Sequence, residues 1–431
     1  MSLIKNIFKK RNKRVVIIGL DGVPETLLKN LIDEGVCPNI KSLLKSHRLY
    51  KMDASIPEIS SVSWASFMTG TNPAKHGIYG FTDLKPNSYT IYFPNYLSLK
   101  EKTIWDKLEE KGKRTTVLNL PGTYPARPHN GILISGFVAI ELSKSIYPQS
   151  LLEKLKEMDY RIDVDTSKSR DKNLFYKDLF ETLERREKVF LDLWEKECDL
   201  FIAVITDTDR LQHFEWNSIE DKNEKNHQLA MEFYSKVDEF VAKIISRLES
   251  NDEIMMMSDH GFTGIEEEVY LNKILKDNGF LKWEESPPTN FAKIDSSSKA
   301  FVLDPSRIYI HKKGKYPKGA VEEKEVDKIK NELKDLFLGL KIDGKSVIKS
   351  IFSKEEIYNG ELLDFAPDLV LLSNYHFDLK GNIKSEKWFD KTHFKGMHTQ
   401  DDAFLITDQN FDNKKPHIEN LANLILKKIN G

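Results

Sequence analysis

Apolar residues fall along this chain in short unbroken runs, separated by longer stretches with helical spacing. The first run, Val15-Val16-Ile17-Ile18-Gly19-Leu20, has no polar interruption, as a strand buried on both faces requires. After it, Pro24 suits a first helical turn. Leu27, Leu28, Leu31 and Ile32 then recur at helical spacing, and Gly35 can cap the end. A second helix is predicted from Asn39 through Leu43 and Leu44. Other strand-like runs occupy residues 115–118, 131–135, 200–205, 253–257 and 368–372, and Ala403-Phe404-Leu405-Ile406 forms a late one. Long helical patterns lie between, notably 174–197 and 226–248. Such alternation predicts an α/β fold, with a mostly parallel sheet covered by helices on both faces. No internal repeat or low-complexity tract is evident.

One stretch departs from this pattern. Residues 265–395 hold Pro287-Pro288, several Lys/Gly turns and alternating pieces such as Arg307-Ile308-Tyr309-Ile310. They read as a smaller α+β cap insertion that includes some core elements, leaving 14–264 and 396–431 as the main α/β core. Residues 143–174 are a candidate second cover. Residues 1–13 form a basic leader. Its apolar part, Met1 to Phe8, is interrupted by Lys5 and is too short for a signal-peptide h-region. A frayed, solvated leader is the default; a short basic helix resting on an anionic membrane is the alternative. No run reaches the roughly 18 apolar residues of a membrane span.

The 431 residues suggest one large core with an insertion, or two domains. A formal net charge of −2 gives no global attraction to nucleic acid, so any hold on an anion must be local. Cys37 and Cys198 are too few for a disulfide framework and lack zinc-site spacing. They fit a reducing setting, and a cytoplasmic location is expected.

Potential metal ligands follow three of the buried runs. Asp21 follows the first, Asp207 and Asp209 follow 200–205, and Asp259-His260 follow 253–257. In open α/β sheets ligands bind outside the carboxyl ends of the strands, so separate carboxylates can converge there. A lone aspartate after a strand is usually a turn residue or a cap. That reading weakens when three strands share the feature. Asp209 and His213 are four apart, on one face of a helical turn, and can reach one cation. Gly261 lets the chain bend after Asp259-His260. Gly396-Met397-His398 sets one more imidazole just before the apolar segment 403–406, although a lone histidine there is ordinarily a surface loop residue. Oxygen and imidazole donors of this kind suit zinc first, then manganese or iron.

Ser60 lies in Pro57-Glu58-Ile59-Ser60-Ser61-Val62-Ser63-Trp64-Ala65-Ser66-Phe67-Met68-Thr69-Gly70. From Ser61 onward this reads as a helix with Trp64, Phe67 and Met68 on its buried side, and Ser60 at the N-cap. A serine there is by default only a cap. A helix N-terminus also favours an anion, and so can stabilise a serine alkoxide and a bound phosphate.

Together these residues resemble the alkaline phosphatase superfamily, in its type I phosphodiesterase/nucleotide pyrophosphatase branch and the related predicted phosphohydrolases or phosphomutases. The matching pieces are Gly19-Leu20-Asp21-Gly22, the stretch from Pro57 to Ile78, Asp209 to His213, Ser258-Asp259-His260-Gly261, and Gly396-Met397-His398. They stand in the family's order across nearly the whole chain. The resemblance implies an alkaline-phosphatase-like fold and a small phosphate-ester substrate, with no nucleic-acid polymer as partner. It implies a serine nucleophile at Ser60, with Ser61 and Ser63 as alternatives. It also implies two divalent metal ions, zinc or else manganese. One would be held by Asp209, His213 and His398, the other by Asp21, Asp259 and His260 with the Ser60 oxygen. His76 and Gly77 would shape the loop after the nucleophile helix, and residues 119–125 would lie near the site.

Two departures matter. Nucleotide-cleaving members carry Phe-Pro-Asn-His after the nucleophile, with the Asn on phosphate. Here the run is Ser61-Val62-Ser63-Trp64, where Ser63 could donate one hydrogen bond. Cys37-Pro38-Asn39-Ile40-Lys41 lacks the Cys-x-Pro-x-Arg pattern of sulfatases. The expected activity is phosphodiester hydrolysis through a phospho-serine intermediate. A phosphomonoesterase or phosphomutase on the same site is the closest alternative, and a non-catalytic binding module keeping the fold is a third reading.

Overall fold

The computed structural model describes residues 13–412 and 414–430. Apart from Lys13, the basic leader and its membrane-contact reading lie outside the described residues. Among the described residues no helix is long and apolar enough to cross a membrane.

Eight strands form the central sheet, in the order Arg48–Met52, Ala403–Thr407, Glu253–Met257, Val15–Leu20, Leu200–Ile205, Thr115–Leu120, Gly131–Ser135 and Ile146–Tyr147. The five from Glu253–Met257 to Gly131–Ser135 run parallel to their neighbours. The remaining three are antiparallel and close the two edges. Val15–Leu20 lies at the centre, pairing Val15 with both Leu200 and Glu253. Its alternate side chains enter different cores. Val16, Ile18 and Leu20 pack with helix Lys172–Trp194 and helix His227–Ile245 on one face. Val15 and Ile17 pack with Trp64, Phe67, Trp105 and the C-terminal helix Leu421–Asn430 on the other. An unbroken apolar run is what this two-sided burial needs.

Residues 368–372 do form a strand, Leu369–Ser373, but outside the central sheet. It joins a second, antiparallel sheet with Ala300–Leu303, Arg307–Ile310 and Ile348–Ser353. That sheet packs with helix Glu323–Leu338 around a separate apolar cluster. A run buried on both sides looks the same in sequence whichever sheet receives it. Strand Arg48–Met52 went unread because its edge position leaves most of it partly exposed.

The long strand Gly261–Tyr270 ties the two regions together. Its start pairs with Gly396–Thr399, setting Phe262 opposite His398, and its end runs parallel to His376–Lys380. Residues far apart in sequence thereby meet beyond the carboxyl ends of the parallel strands.

Candidate active site

Three neighbouring parallel strands deliver the acidic groups. Asp21 follows Val15–Leu20, Asp259 follows Glu253–Met257, and Asp209 sits in the first turn of helix Asp207–Glu220 after Leu200–Ile205. The same helix carries His213 one turn on. Asp21 and Asp259 join His260, and Asp209 and His213 join His398, so that in each trio the donor atoms lie within 4.8 Å of one another. The six metal ligands expected from the sequence thus meet in two trios. The trios touch where the rings of His260 and His398 stack, 3.7 Å between centroids.

The hydrogen bonds set the ring tautomers. His213 Nδ1 lies 3.0 Å from the Gly396 carbonyl oxygen, His260 Nδ1 3.0 Å from that of Gly261, and His398 Nδ1 3.0 Å from that of Glu58. A carbonyl accepts only, so each Nδ1 carries the hydrogen and each Nε2 presents a lone pair. His213 Nε2 and His398 Nε2 then face each other at 3.1 Å with no proton between them. Asp209 Oδ1 lies 3.5 and 3.3 Å from those two nitrogens. In the other trio His260 Nε2 is 3.7 Å from Asp21 Oδ1 and 3.3 Å from Asp259 Oδ2. Asp21 Oδ1, Asp209 Oδ1 and Asp259 Oδ2 are all buried without a hydrogen-bond partner. Converging lone pairs of this kind repel, and a cation between them removes the repulsion. The residues therefore fit a divalent ion at each trio.

Charge effects agree. Burial, then the charges of Asp259 and Asp209, push the Asp21 carboxyl well above its usual range. Burial first, with Asp209 adding to it, raises Asp259 to about 7. Burial acts the same way on Asp209, but it is opposed by the Arg210 guanidinium and, whenever they take up a proton, by His213 and His398, so that this carboxyl is held down. Burial lowers His213 and His260 to about 4 and lowers His398 as well, keeping the imidazoles neutral and able to bind metal.

Ser60 Oγ is 3.1 Å from His260 Nε2 and donates to it. Ser60 is the first residue of helix Ser60–Thr69, and Ile59 takes the N-cap position without a side-chain bond. The expectation that Ser60 would be the cap is therefore corrected. As N1, its side chain is not spent on the helix end. Nor is the helix amphipathic: nearly every face is buried, including Val62 and Ser63 as well as Trp64, Phe67 and Met68. Ser63 is wholly buried and Ser61 lines a neighbouring apolar pocket, so neither opens into the cleft that Ser60 lines. Ser63 is thus not placed to donate to a phosphate in that cleft.

Backbone shape holds these groups in position. Gly22 has φ +71°, and a Cβ there would lie 3.2 Å from His260 Cε1; its N–H donates to Asp259 Oδ1 at 3.1 Å. A Cβ on Gly396 would come within 2.6 Å of the Gln212 carbonyl, in the segment that orients His213. Trp64 Nε1 donates to Asp21 Oδ2 at 3.1 Å. His76 stays away from the cleft. It is buried, with Nε2 on Ser66 Oγ at 3.0 Å and Nδ1 accepting from Ile78 N–H at 3.2 Å, and burial lowers it to about 3. Asn119 braces the end of Leu200–Ile205 through the Val204 carbonyl and Thr206 Oγ1.

Sequence reading missed several cleft groups. Arg210 grips both oxygens of Asp163 and donates to Asp209 Oδ2 at 3.0 Å, with its guanidinium 4.1 Å from the Phe137 ring centroid. Its place between Asp209 and His213 was a usable signal. Lys380, 2.7 Å from Asp378, and Asp163 come from distant segments and left no mark in the pattern. The cleft has a volume of about 400 Å³.

The mostly parallel central sheet with helices, and with carboxylate and imidazole groups gathered at its strand ends, is an α/β fold of the alkaline-phosphatase-like kind. The model of the type I phosphodiesterase/nucleotide pyrophosphatase family matches residues 15–401, so the chain belongs to that family and is a phosphoric ester hydrolase. The family is of metallo-enzyme type, and the two trios are of a kind that could hold divalent ions. No curated protein matches the chain. Among solved structures, it is similar to phosphonoacetate hydrolase from Sinorhizobium meliloti in complex with phosphonoacetate, at TM-score 0.64 and 15% identity, covering 97% of this chain and 96% of that one. It is also similar to murine ectonucleotide pyrophosphatase/phosphodiesterase 5, as an inactive variant in complex with AMP, at TM-score 0.57 and 13% identity, covering 97% and 95%. The human counterpart matches at TM-score 0.55 and 13% identity, with the same coverage. At these identities the likeness is one of fold.

Proposed function

We propose that the protein hydrolyses small phosphodiesters, with Ser60 as nucleophile and two divalent ions held by Asp21, Asp259 and His260 and by Asp209, His213 and His398. The observation that carries this reading is the pair of buried donor trios beside Ser60 Oγ, with three carboxylate oxygens and two facing imidazole nitrogens left unsatisfied. Mixed carboxylate and imidazole sets suit zinc first, with manganese second. Bound there, divalent ions would offset charge on the phosphoryl oxygens and lower the pKa of the serine hydroxyl.

The chain's own groups do the rest. Ser60 is held at the open start of its helix, where the N–H groups of Ser60 and Ser61 have no backbone acceptor among the described residues. Such a terminus favours a phosphoryl group and the developing charge on it. Ser60 Oγ forms the bond to phosphorus as the ester oxygen leaves in line, and water then cleaves the phospho-serine. Arg210 braces Asp209 rather than reaching for substrate, since its hydrogen bonds to Asp163 and Asp209 engage it from two sides. Groups from the 265–395 segment, including Asp304, Ser306, Asp378 and Lys380, line the outer cleft, which supports reading that segment as the cap that selects substrate.

The cleft's charge favours a diester over a monoester. Glu58, Asp163, Asp209, Asp304 and Asp378 line it against only Arg210 and Lys380, and both cations are already paired. A monoester brings extra negative charge, and beyond the two metal sites the cleft offers it no unpaired cationic side chain among the described residues. Rates on bis-nitrophenyl phosphate, nitrophenyl phosphate and phosphoglycerate test this. The diester should be cleaved fastest by at least tenfold; faster cleavage of the monoester, or transfer within phosphoglycerate, would overturn the assignment.

A further inference from the structure

A second cavity, of about 960 Å³, shares no lining residue with the catalytic cleft. One wall follows the short helix Pro73–His76, and the other comes from the loop after strand Arg307–Ile310 together with Lys354. Six lysines line it: Lys85, Lys100, Lys312, Lys313, Lys315 and Lys354. Three acids, Asp83, Glu323 and Asp364, line it with them.

The pairing is uneven. Lys313 is 2.7 Å from Glu322, and Lys312 and Lys354 share one buried oxygen, Asp368 Oδ1, at 3.1 and 4.0 Å. Burial raises Asp83, and the charge of the buried Arg307 opposes this. Lys85, Lys100 and Lys315 have no carboxylate within ion-pair distance among the described residues. Lys315, half-buried, donates to the Asp364 carbonyl at 2.8 Å and lies 5.9 and 5.8 Å from the ring centroids of Tyr309 and Tyr316. Burial pushes its ammonium down, and Lys354 and Lys312 add to this against the pull of Asp368. Positive charge gathered in a concave, partly desolvated wall is unfavourable until an anion arrives. Lysine ammoniums are compact point charges that bind phosphoryl oxygens from several directions, and the cations that line this cavity among the described residues are all lysines. The volume is within the range of small-molecule sites.

We propose that this cavity is a second, non-catalytic binding site for a small molecule carrying two or more phosphoryl groups, with Lys85, Lys100 and Lys315, which lack a carboxylate partner among the described residues, as its cations. The site stands independently of the hydrolytic reading, because no residue of the catalytic cleft contributes to it.

The test is calorimetric titration of fructose 1,6-bisphosphate into the metal-loaded full chain carrying Ser60→Ala, which prevents turnover. Added Lys85→Ala/Lys100→Ala, at two exposed positions, should weaken binding at least tenfold. Added Lys315→Met should weaken it by a similar factor, and Lys380→Ala, in the catalytic cleft, should leave it unchanged. Inorganic phosphate should bind at least tenfold more weakly than the bisphosphate. With Ser60 intact, Lys85→Ala/Lys100→Ala should hydrolyse bis-nitrophenyl phosphate at the normal rate. Binding that is lost in Lys380→Ala but not in the cavity variants would put the bisphosphate in the catalytic cleft and overturn the proposal. So would the absence of millimolar binding to folded protein.

Discussion

Trp64 offers a way to separate the support of the site from its chemistry. Its indole N–H is the side-chain partner of Asp21 Oδ2, and Asp21 Oδ1 has none. Trp64→Phe removes that bond without adding a polar group. A hydrogen bond to a charged acceptor contributes about 1.5–3 kcal/mol. Trp64 is fully buried, with its ring meeting Phe67 edge-on at 5.6 Å, so the lost ring atoms leave a void. That void adds roughly 1–2 kcal/mol, giving a total destabilisation of about 3–5 kcal/mol by urea unfolding. The same lost bond frees Asp21 to turn. Removing the groups that orient a ligand typically costs about 10–100-fold in metal affinity, which agrees with the 1.5–3 kcal/mol above. Metal titration should therefore show one of two sites weakened by that factor and the other, at Asp209, His213 and His398, unaffected. Equal affinity at both sites and an unchanged diesterase rate would refute the claim that Trp64 orients Asp21 for a metal.

Other expectations follow from single groups. Gly22→Ala places a Cβ in a left-handed conformation 3.2 Å from His260, and should cost about 1–3 kcal/mol in unfolding measurements and reduce turnover. Arg186 and Asp207 form an ion pair with both side chains fully buried, so Arg186→Met should destabilise by about 3–5 kcal/mol, with Asp207→Asn recovering part of it in the double variant. His76 is held neutral, with its folded pKa lowered to about 3. Its contribution is present above the ordinary value of 6.5 and is lost as pH falls toward 3. Urea titrations between pH 7 and 4 should show a stability loss that is shallower in His76→Gln, by up to roughly 3 kcal/mol at the acid end. Chelation should lower Tm and metal return should restore it, by about 2.7 kcal/mol of stability for each site when free metal is a hundredfold above that site's Kd.

Much of this fold was readable because burial on two faces demands unbroken apolar runs, and the runs at 15–20, 200–205 and 253–257 are adjacent strands. Their carboxyl ends carry Asp21, Asp209 and Asp259, so convergence could be expected from topology alone. Other elements gave weaker signals. Arg48–Met52 mixes polar and apolar positions because it lies at an edge, and 369–373 looks like a central strand although a second core receives it. Helix Ser60–Thr69 was read one residue short because a serine before an apolar run resembles a cap. Asp163 reaches the cleft from a loop and Lys380 from the end of strand His376–Lys380, which pairs with Gly261–Tyr270, and nothing in the local pattern points either residue at the site. Nothing in the sequence shows which way Lys312, Lys313, Lys315 and Lys354 face, and the fold directs them to a cavity apart from the cleft.

The most direct test of the account is metal content together with bis-nitrophenyl phosphate hydrolysis, on the native chain and on Ser60→Ala, after reconstitution with zinc or manganese. The account predicts about two metal ions per chain in both proteins, as two-metal hydrolases bind. Turnover should be present in the native protein and abolished in the variant. Undiminished hydrolysis by Ser60→Ala, or a chain that takes up no metal, would contradict it.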